Sequence, residues 1–102
     1  MKEQLEQVLK SAGYRVVAPE ALAPNLVSII GVGMRYEPLA FTKVRKIYTF
    51  WIWMRVYTPD QAEEKAEALM DTIWQAFNEV GELRADFQAD FVQVTMELVK
   101  EE

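Results

Sequence analysis

Residues 44–57 read V-R-K-I-Y-T-F-W-I-W-M-R-V-Y, and residues 58–61 continue the chain with T-P-D-Q. The first segment consists of β-branched, aromatic, aliphatic and basic side chains and contains neither Gly nor Pro, which predicts one long β-strand. The second segment is typical of a helix start. Thr58 can cap, Pro59 suits the first helical position, and Gln61 completes a capping box.

The predicted strand has two apolar faces, because strand side chains alternate. One face carries Tyr48, Phe50, Ile52, Met54 and Val56, and the other carries Ile47, Thr49, Trp51, Trp53, Arg55 and Tyr57. A small domain usually covers one face of an antiparallel sheet and leaves the other to water. We therefore expect the face with Trp51 and Trp53 to be covered by another subunit or a partner.

A second strand is predicted at residues 26–36. Its two glycines, Gly31 and Gly33, lie two positions apart and leave a groove on one face of the strand. In a hairpin with the strand at 44–57, that groove could receive Trp51 or Trp53. Strict alternation places the glycines on the same face as Val27, Ile29 and Arg35.

Two helices are predicted from apolar residues at a period of 3.6. The first is a short helix at Lys2–Ser11, with Gly13 just beyond its end. The second begins at Thr58 and runs to Val80, with Gly81 ending it. Its apolar stripe consists of Ala62, Ala66, Leu69, Met70, Ile73, Trp74, Phe77 and Val80.

The remaining elements complete an α+β order. Residues 14–17 form a brief extended segment, residues 82–90 a polar turn with a short extended piece, and residues 91–99 a half-buried alternating strand. The expectation is a single domain over residues 1–102. It has an antiparallel or mixed sheet of about four strands, with the N-terminal helix and one long helix packed on one face.

The composition excludes several kinds of chemistry. The sequence has no cysteine and no histidine, so disulfides, thiolate nucleophiles, the usual zinc sites and imidazole bases are ruled out. It contains no nucleotide-binding loop. The acids at 60–71 predict a solvated or partner-facing helix surface in preference to a metal site. We therefore expect a protein without cofactor that is not an enzyme.

Charge is divided along the chain, which has a net charge of -5. Residues 35–55 hold five bases against Glu37, a local balance of +4, and residues 60–90 hold nine acids against Lys65 and Arg84, a balance of -7. This division suits head-to-tail contact between copies, although both regions are equally consistent with ordinary solvated faces. No membrane helix and no secretory signal are predicted.

The two tryptophans beside basic residues admit another interpretation. Trp51 and Trp53, with Arg45, Lys46 and Arg55, could stack bases and bind phosphates. The overall acidity argues against a dedicated nucleic-acid binder. Burial at a protein contact is the favoured interpretation.

The order of elements resembles the small tail-terminator and head-to-tail joining proteins of long-tailed bacteriophages. The likeness is carried by R-K-I-Y-T-F-W-I-W-M-R-V-Y-T followed by P-D-Q-A-E-E-K-A-E-A-L-M-D-T-I, and it extends over nearly the whole chain. It implies an α+β subunit of a homo-oligomeric ring, commonly of six copies. Such a ring caps the tail tube, joins it to the head connector and lets DNA pass. The implied location is the virion tail, after synthesis in the host cytoplasm.

In that family the connection at residues 37–43 would correspond to the hairpin loop that meets the tail tube. Two other functions stay open: a small dimeric α+β module that binds a ligand or regulates, and a nucleic-acid-binding accessory protein. The residues predicted to contact another subunit or a partner are Leu39, Phe41, Lys43, Arg45, Trp51, Trp53 and Arg55.

Overall fold

The computed structural model describes residues 2–24, 26–56 and 58–101, and it confirms the α+β class. The described sheet has five strands, where about four were predicted. The elements are, in order, α1 (Lys2–Ser11), β1 (Arg15–Val16), a 3₁₀ turn (Pro19–Ala21), β2 (Leu26–Ala40), β3 (Lys43–Arg55), α2 (Pro59–Ala76), β4 (Val80–Phe87) and β5 (Phe91–Glu101).

The strand predicted at 44–57 is the centre of the sheet. The strand order is β1-β2-β3-β5-β4, with β1 parallel to β2 and every other pair antiparallel. β3 is therefore hydrogen-bonded on both sides along its length, as its β-branched and aromatic composition favours. Tyr57, which the prediction included in this strand, lies outside the described residues.

Both helices pack on one face of the sheet, which we call the core face. The opposite one is the second face. Apolar side chains at alternate strand positions meet the buried sides of α1 and α2, which makes one continuous core. The completely buried members include Leu5, Leu9, Val27, Phe50, Ile52, Leu69, Ile73, Val92, Val94 and Met96.

The long helix ends four residues earlier than its apolar stripe predicted. It stops at Ala76, and Phe77 already has extended backbone angles, with its N–H donating to the carbonyl of Ile73 at 3.1 Å. Val80, predicted as the last helical residue, instead opens β4 opposite Leu98, and Gly81 lies within that strand. Pairing with β5 therefore overrides the helical period, while Val80 still packs against the core.

The start of α2 also differs from its prediction. The helix begins at Pro59 as expected, but the Thr58 side chain makes no capping hydrogen bond. The first bond of the turn runs instead from the Gln61 N–H to the Thr58 carbonyl at 3.2 Å. The predicted capping box is therefore wrong, and proline with Asp60 in the first turn marks this helix end.

A β-bulge in β2 changes which side chains share a face. Val27 and Ile29 lie opposite Met54 and Ile52 on the core face, but the register shifts between Ile29 and Gly31. Gly31 then lies opposite Trp51 on the second face. The strict alternation predicted for this strand is therefore wrong beyond Ile29, because one extra residue reverses the faces.

The β2–β3 hairpin is longer than the helices that cover the sheet. Pairing continues to Ala40 and Lys43, so only Phe41 and Thr42 form the turn, in place of the long connection predicted at 37–43. The part of this hairpin over residues 32–48 is called the arm below. It contributes to an elongated molecule with a longest extent of 50 Å.

Tyr14 follows α1 and packs partly buried against the core. Burial raises the pKa of its hydroxyl above the ordinary value of 10.0. The folded protein therefore holds this proton more tightly than the unfolded chain. The corresponding stability is complete below the unfolded pKa and is lost as pH rises through the higher folded pKa.

We expect urea unfolding to show a loss of stability above about pH 10 that Tyr14→Phe reduces. The variant keeps the ring and removes the titrating hydroxyl. Tyr36→Phe, at an exposed tyrosine, is the matched control and should retain the alkaline loss. Identical alkaline profiles for the native chain and Tyr14→Phe would contradict the prediction.

Candidate assembly surfaces

The tip of the arm exposes apolar side chains. Phe41, in the two-residue turn, is fully exposed, and Leu39 close to it is 45% exposed. Lys43 lies beside them at the start of β3 and is also exposed. An aromatic ring held in water at the end of a projecting hairpin is typical of a contact site for another protein.

The shaft of the arm is apolar on the core-face side, beyond the reach of both helices. Val32, Met34 and Tyr36 are 49%, 58% and 57% exposed. They lie opposite Phe50, Tyr48 and Lys46 respectively. We call Val32, Met34 and Tyr36 the arm face. Lys46 extends across it, with its Nζ 5.5 Å from the centre of the Tyr36 ring.

The arm face was missed at the level of sequence. The alternation of β3 directed attention to the tryptophan face, where the residues are larger. The side chains of the arm face, on the other side of the hairpin, are more exposed to solvent than the two tryptophans. The signal that could have found it is the length of the elements. Strands of 15 and 13 residues rise about 3.3 Å per residue, so they extend past a helix of 18 residues that rises only about 1.5 Å per residue.

Trp51 fills the groove that the two glycines leave, as predicted, and Trp53 does not. A Cβ atom at Gly31 would lie 3.0 Å from Cε3 of Trp51, and one at Gly33 would lie 3.2 Å from its Cη2. Side chains at either position would push on the indole ring. The absence of a Cβ at both positions therefore allows Trp51 to lie flat on β2, where it is half-buried.

Trp53 packs toward the other neighbour of β3. Its ring centroid is 4.7 Å from that of Phe91, and its Nε1 donates to Oε1 of Gln93 at 3.0 Å. The ring is half-buried. Ser28 lies opposite Trp53 on β2, and Thr95 lies opposite Trp51 on β5. Both residues are buried, and their hydroxyls have no hydrogen-bond partner.

The basic residues of β3 lie at different ends of the strand. Arg55 donates to Oδ2 of Asp90 at 3.2 Å and to the carbonyl of Leu22 at 3.3 Å, close to the body of the molecule. Arg45 is half-buried on the second face of the arm, opposite Glu37. The two arginines are separated by ten residues of strand, about 34 Å.

The seven predicted interface residues therefore do not form one patch. The structure brings together three at the tip and distributes four along the second face of β3, where they also interact with the rest of the chain. A role of these residues in subunit contact stays a prediction. The tip set is Leu39, Phe41 and Lys43, and the strand set is Arg45, Trp51, Trp53 and Arg55.

The outward side of α2 carries a stripe of acids that ends in a tryptophan. Each member lies three or four residues from another member, so they lie on one side of the helix. Trp74, predicted to point inward, is 63% exposed, because the buried stripe is narrow and consists of Ala62, Ala66, Leu69 and Ile73. We call the outward set the α2 stripe: Asp60, Glu63, Glu64, Glu67, Asp71 and Trp74.

The second face is polar toward β4, where its charges pair within the chain. Arg84 contacts Glu82 and Asp86 at 3.2 and 3.5 Å. Arg35 contacts Glu97 at 2.8 Å. These pairs are solvent-exposed on at least one side and contribute little to stability.

Several hollows lie beside the helices, and two of them lie between the N-terminal segment and α2. One is lined by Ala12, Gly13, Tyr14, Met54, Lys65 and Ala68. Its volume of about 200 Å³ is below the range of roughly 300–1,000 Å³ for small-molecule sites. A groove of about 490 Å³ between α1 and α2 is lined by Gln7, Val8, Ser11, Ala12, Thr72, Gln75 and Ala76. That lining has no ionisable side chain to orient a charged ligand.

Among the residues that the structure describes, no three acidic side chains converge as they would around a metal ion. Within the same ranges, no helix has the length and apolar character needed to cross a membrane. No protein-family model matches the chain, and no curated protein matches it either. The resemblance to phage tail proteins stays a prediction from the order and composition of the elements.

Proposed function

We propose that this chain is a structural virion protein, a subunit of a homo-oligomeric ring that caps the tail tube of a long-tailed phage and joins it to the head connector. The observation that carries the proposal is the arm, a hairpin that projects beyond the helices and holds a fully exposed Phe41 at its tip. An isolated domain gains nothing from such a tip. A ring subunit uses it to contact the tube.

The charge distribution supports the same proposal. β3 contains four basic residues and no acid over Lys43–Arg55, whereas α2 contains five acids against Lys65 over Pro59–Ala76. Opposite charges on two different surfaces of one chain favour heterologous contacts, which close into rings when the rotation between neighbours allows. In such a ring, an acidic lumen would let DNA pass without adhering.

The proposal is tested by co-expressing the chain with the tail tube protein encoded in the same genome. We expect the purified chain to sediment as an oligomer, or to form rings when tubes are present, and electron micrographs to show one ring at one end of each tube. A chain that remains monomeric in the presence of tubes, with tube ends uncapped, would overturn the proposal. Tubes of an unrelated phage serve as the control for specificity.

A further inference from the structure

Resting on the proposed ring, we propose how its subunits join: the arm face of one copy lies along the α2 stripe of the next copy. The arm of each subunit is therefore an interaction surface for a second copy of this chain. Its tip remains available to another protein. The contact pairs apolar with apolar side chains and bases with acids.

The arm supplies the first half of this contact. Val32, Met34 and Tyr36 expose about half of their area on one side of a two-stranded ribbon that neither helix covers. Burial of such side chains is the main source of favourable free energy in association. Lys46 lies on the same side, and Lys43 projects from the same strand close to the tip. The surface is thus apolar with a basic border.

The α2 stripe supplies the second half. Trp74 exposes a large apolar ring at its C-terminal end, which is the kind of side chain that dominates protein contacts. The acids preceding it include Glu63 with Glu67 and Glu67 with Asp71, pairs four residues apart whose like charges repel one another on a helix. A basic partner relieves that repulsion.

The two surfaces match in charge and in length. The bases available to the arm face are Lys46 beside Tyr36 and Lys43 close to the tip, because Arg35 and Arg45 lie on the second face. By contrast, α2 over Pro59–Ala76 has a balance of -4. The arm strand from Val32 to Ala40 spans about 27 Å, and the stripe from Asp60 to Trp74 spans about 21 Å. An arm laid along the stripe therefore meets both its apolar end and its acids.

The partner must be another molecule, because the arm continues the plane of the sheet whereas the stripe points away from it. The two surfaces are also different from each other, so each copy offers one of each. Such a contact is heterologous, and repetition of it gives a ring or an open helical filament.

Charge reversal tests this contact directly. One variant carries Lys43→Glu with Lys46→Glu, and the other carries Glu67→Lys with Asp71→Lys. We expect each variant alone to associate at least about tenfold more weakly in sedimentation velocity, because like charges then meet across the contact. An equimolar mixture of the two should assemble again, since the acidic arm of one fits the basic helix of the other.

Matched controls reverse two charges away from both surfaces. Lys2→Glu with Arg15→Glu controls the arm variant, and Glu20→Lys with Glu79→Lys controls the helix variant. All four positions are exposed. The controls should associate like the native chain, and circular dichroism should show that every variant is folded.

The outcomes separate the contact from the proposed function. If each variant alone associates weakly and the mixture associates like the native chain, the contact is supported, whether or not tubes are capped. Single variants that associate like the native chain, or a mixture that fails to recover while the controls assemble, overturn the contact and leave the proposed ring standing if tubes are capped. A native chain that never associates, alone or with tubes, overturns both.

Discussion

Replacing Trp51 by alanine is expected to lower the free energy of unfolding by about 2–3 kcal/mol, somewhat less than a fully buried tryptophan would cost. The indole lies so close to Gly31 and Gly33 that a Cβ at either position would be 3.0 or 3.2 Å from it, so its removal leaves a trough along β2 that no neighbouring side chain fills. It also exposes Thr95, which Trp51 faces across the sheet. The loss should be visible in urea denaturation followed by circular dichroism.

The matched control is Trp74→Ala, which removes the same side chain from an exposed position. Its effect on unfolding is expected to stay within about 0.5 kcal/mol. Both measurements should be made at a protein concentration at which the chain is monomeric, because association raises the apparent stability. If Trp51→Ala left unfolding unchanged but abolished assembly, Trp51 would be a subunit contact, as the two apolar faces of β3 suggested, and its role in the fold would be rejected.

Phe41→Asp is expected to abolish the proposed tube capping while the protein stays folded. The ring is fully exposed at the turn of the arm, so its removal takes no contact from the core. An aromatic residue at the centre of a contact commonly contributes 2 kcal/mol or more, which corresponds to binding weakened by about 30-fold or more. Co-sedimentation of the variant with tail tubes measures this effect.

Thr42→Asp controls for the added charge, because it places the same carboxylate at the neighbouring turn position and keeps the Phe41 ring. We expect this control to retain most of the capping. Equal loss in both variants would mean that charge repulsion alone explains the result. Normal capping by Phe41→Asp would remove the tip of the arm from the contact with the tube.

Local patterns in the sequence were sufficient for most elements of this fold. The run of β-branched and aromatic residues at 44–57 predicts β3 because such side chains suit a pleated strand. Gly13, with φ of 93°, ends α1 as predicted because only glycine adopts that backbone angle without strain. The groove for Trp51 was also predictable, since the spacing of Gly31 and Gly33 defines it within one strand.

The assembly surfaces depended on contacts between distant segments. The bulge after Ile29 and the strand beginning at Val80 exist because β3 and β5 offer hydrogen-bonding partners in a particular register, which no local pattern records. The outward position of Trp74 and the uncovered arm follow from where α2 lies across the sheet. Periodicity reports which side chains are apolar along one element, whereas their burial depends on whether another element reaches them. For this chain, sequence therefore determined most of the elements and the groove for Trp51. Only tertiary packing decided that β4 begins at Val80 and which apolar surfaces remain open to a partner.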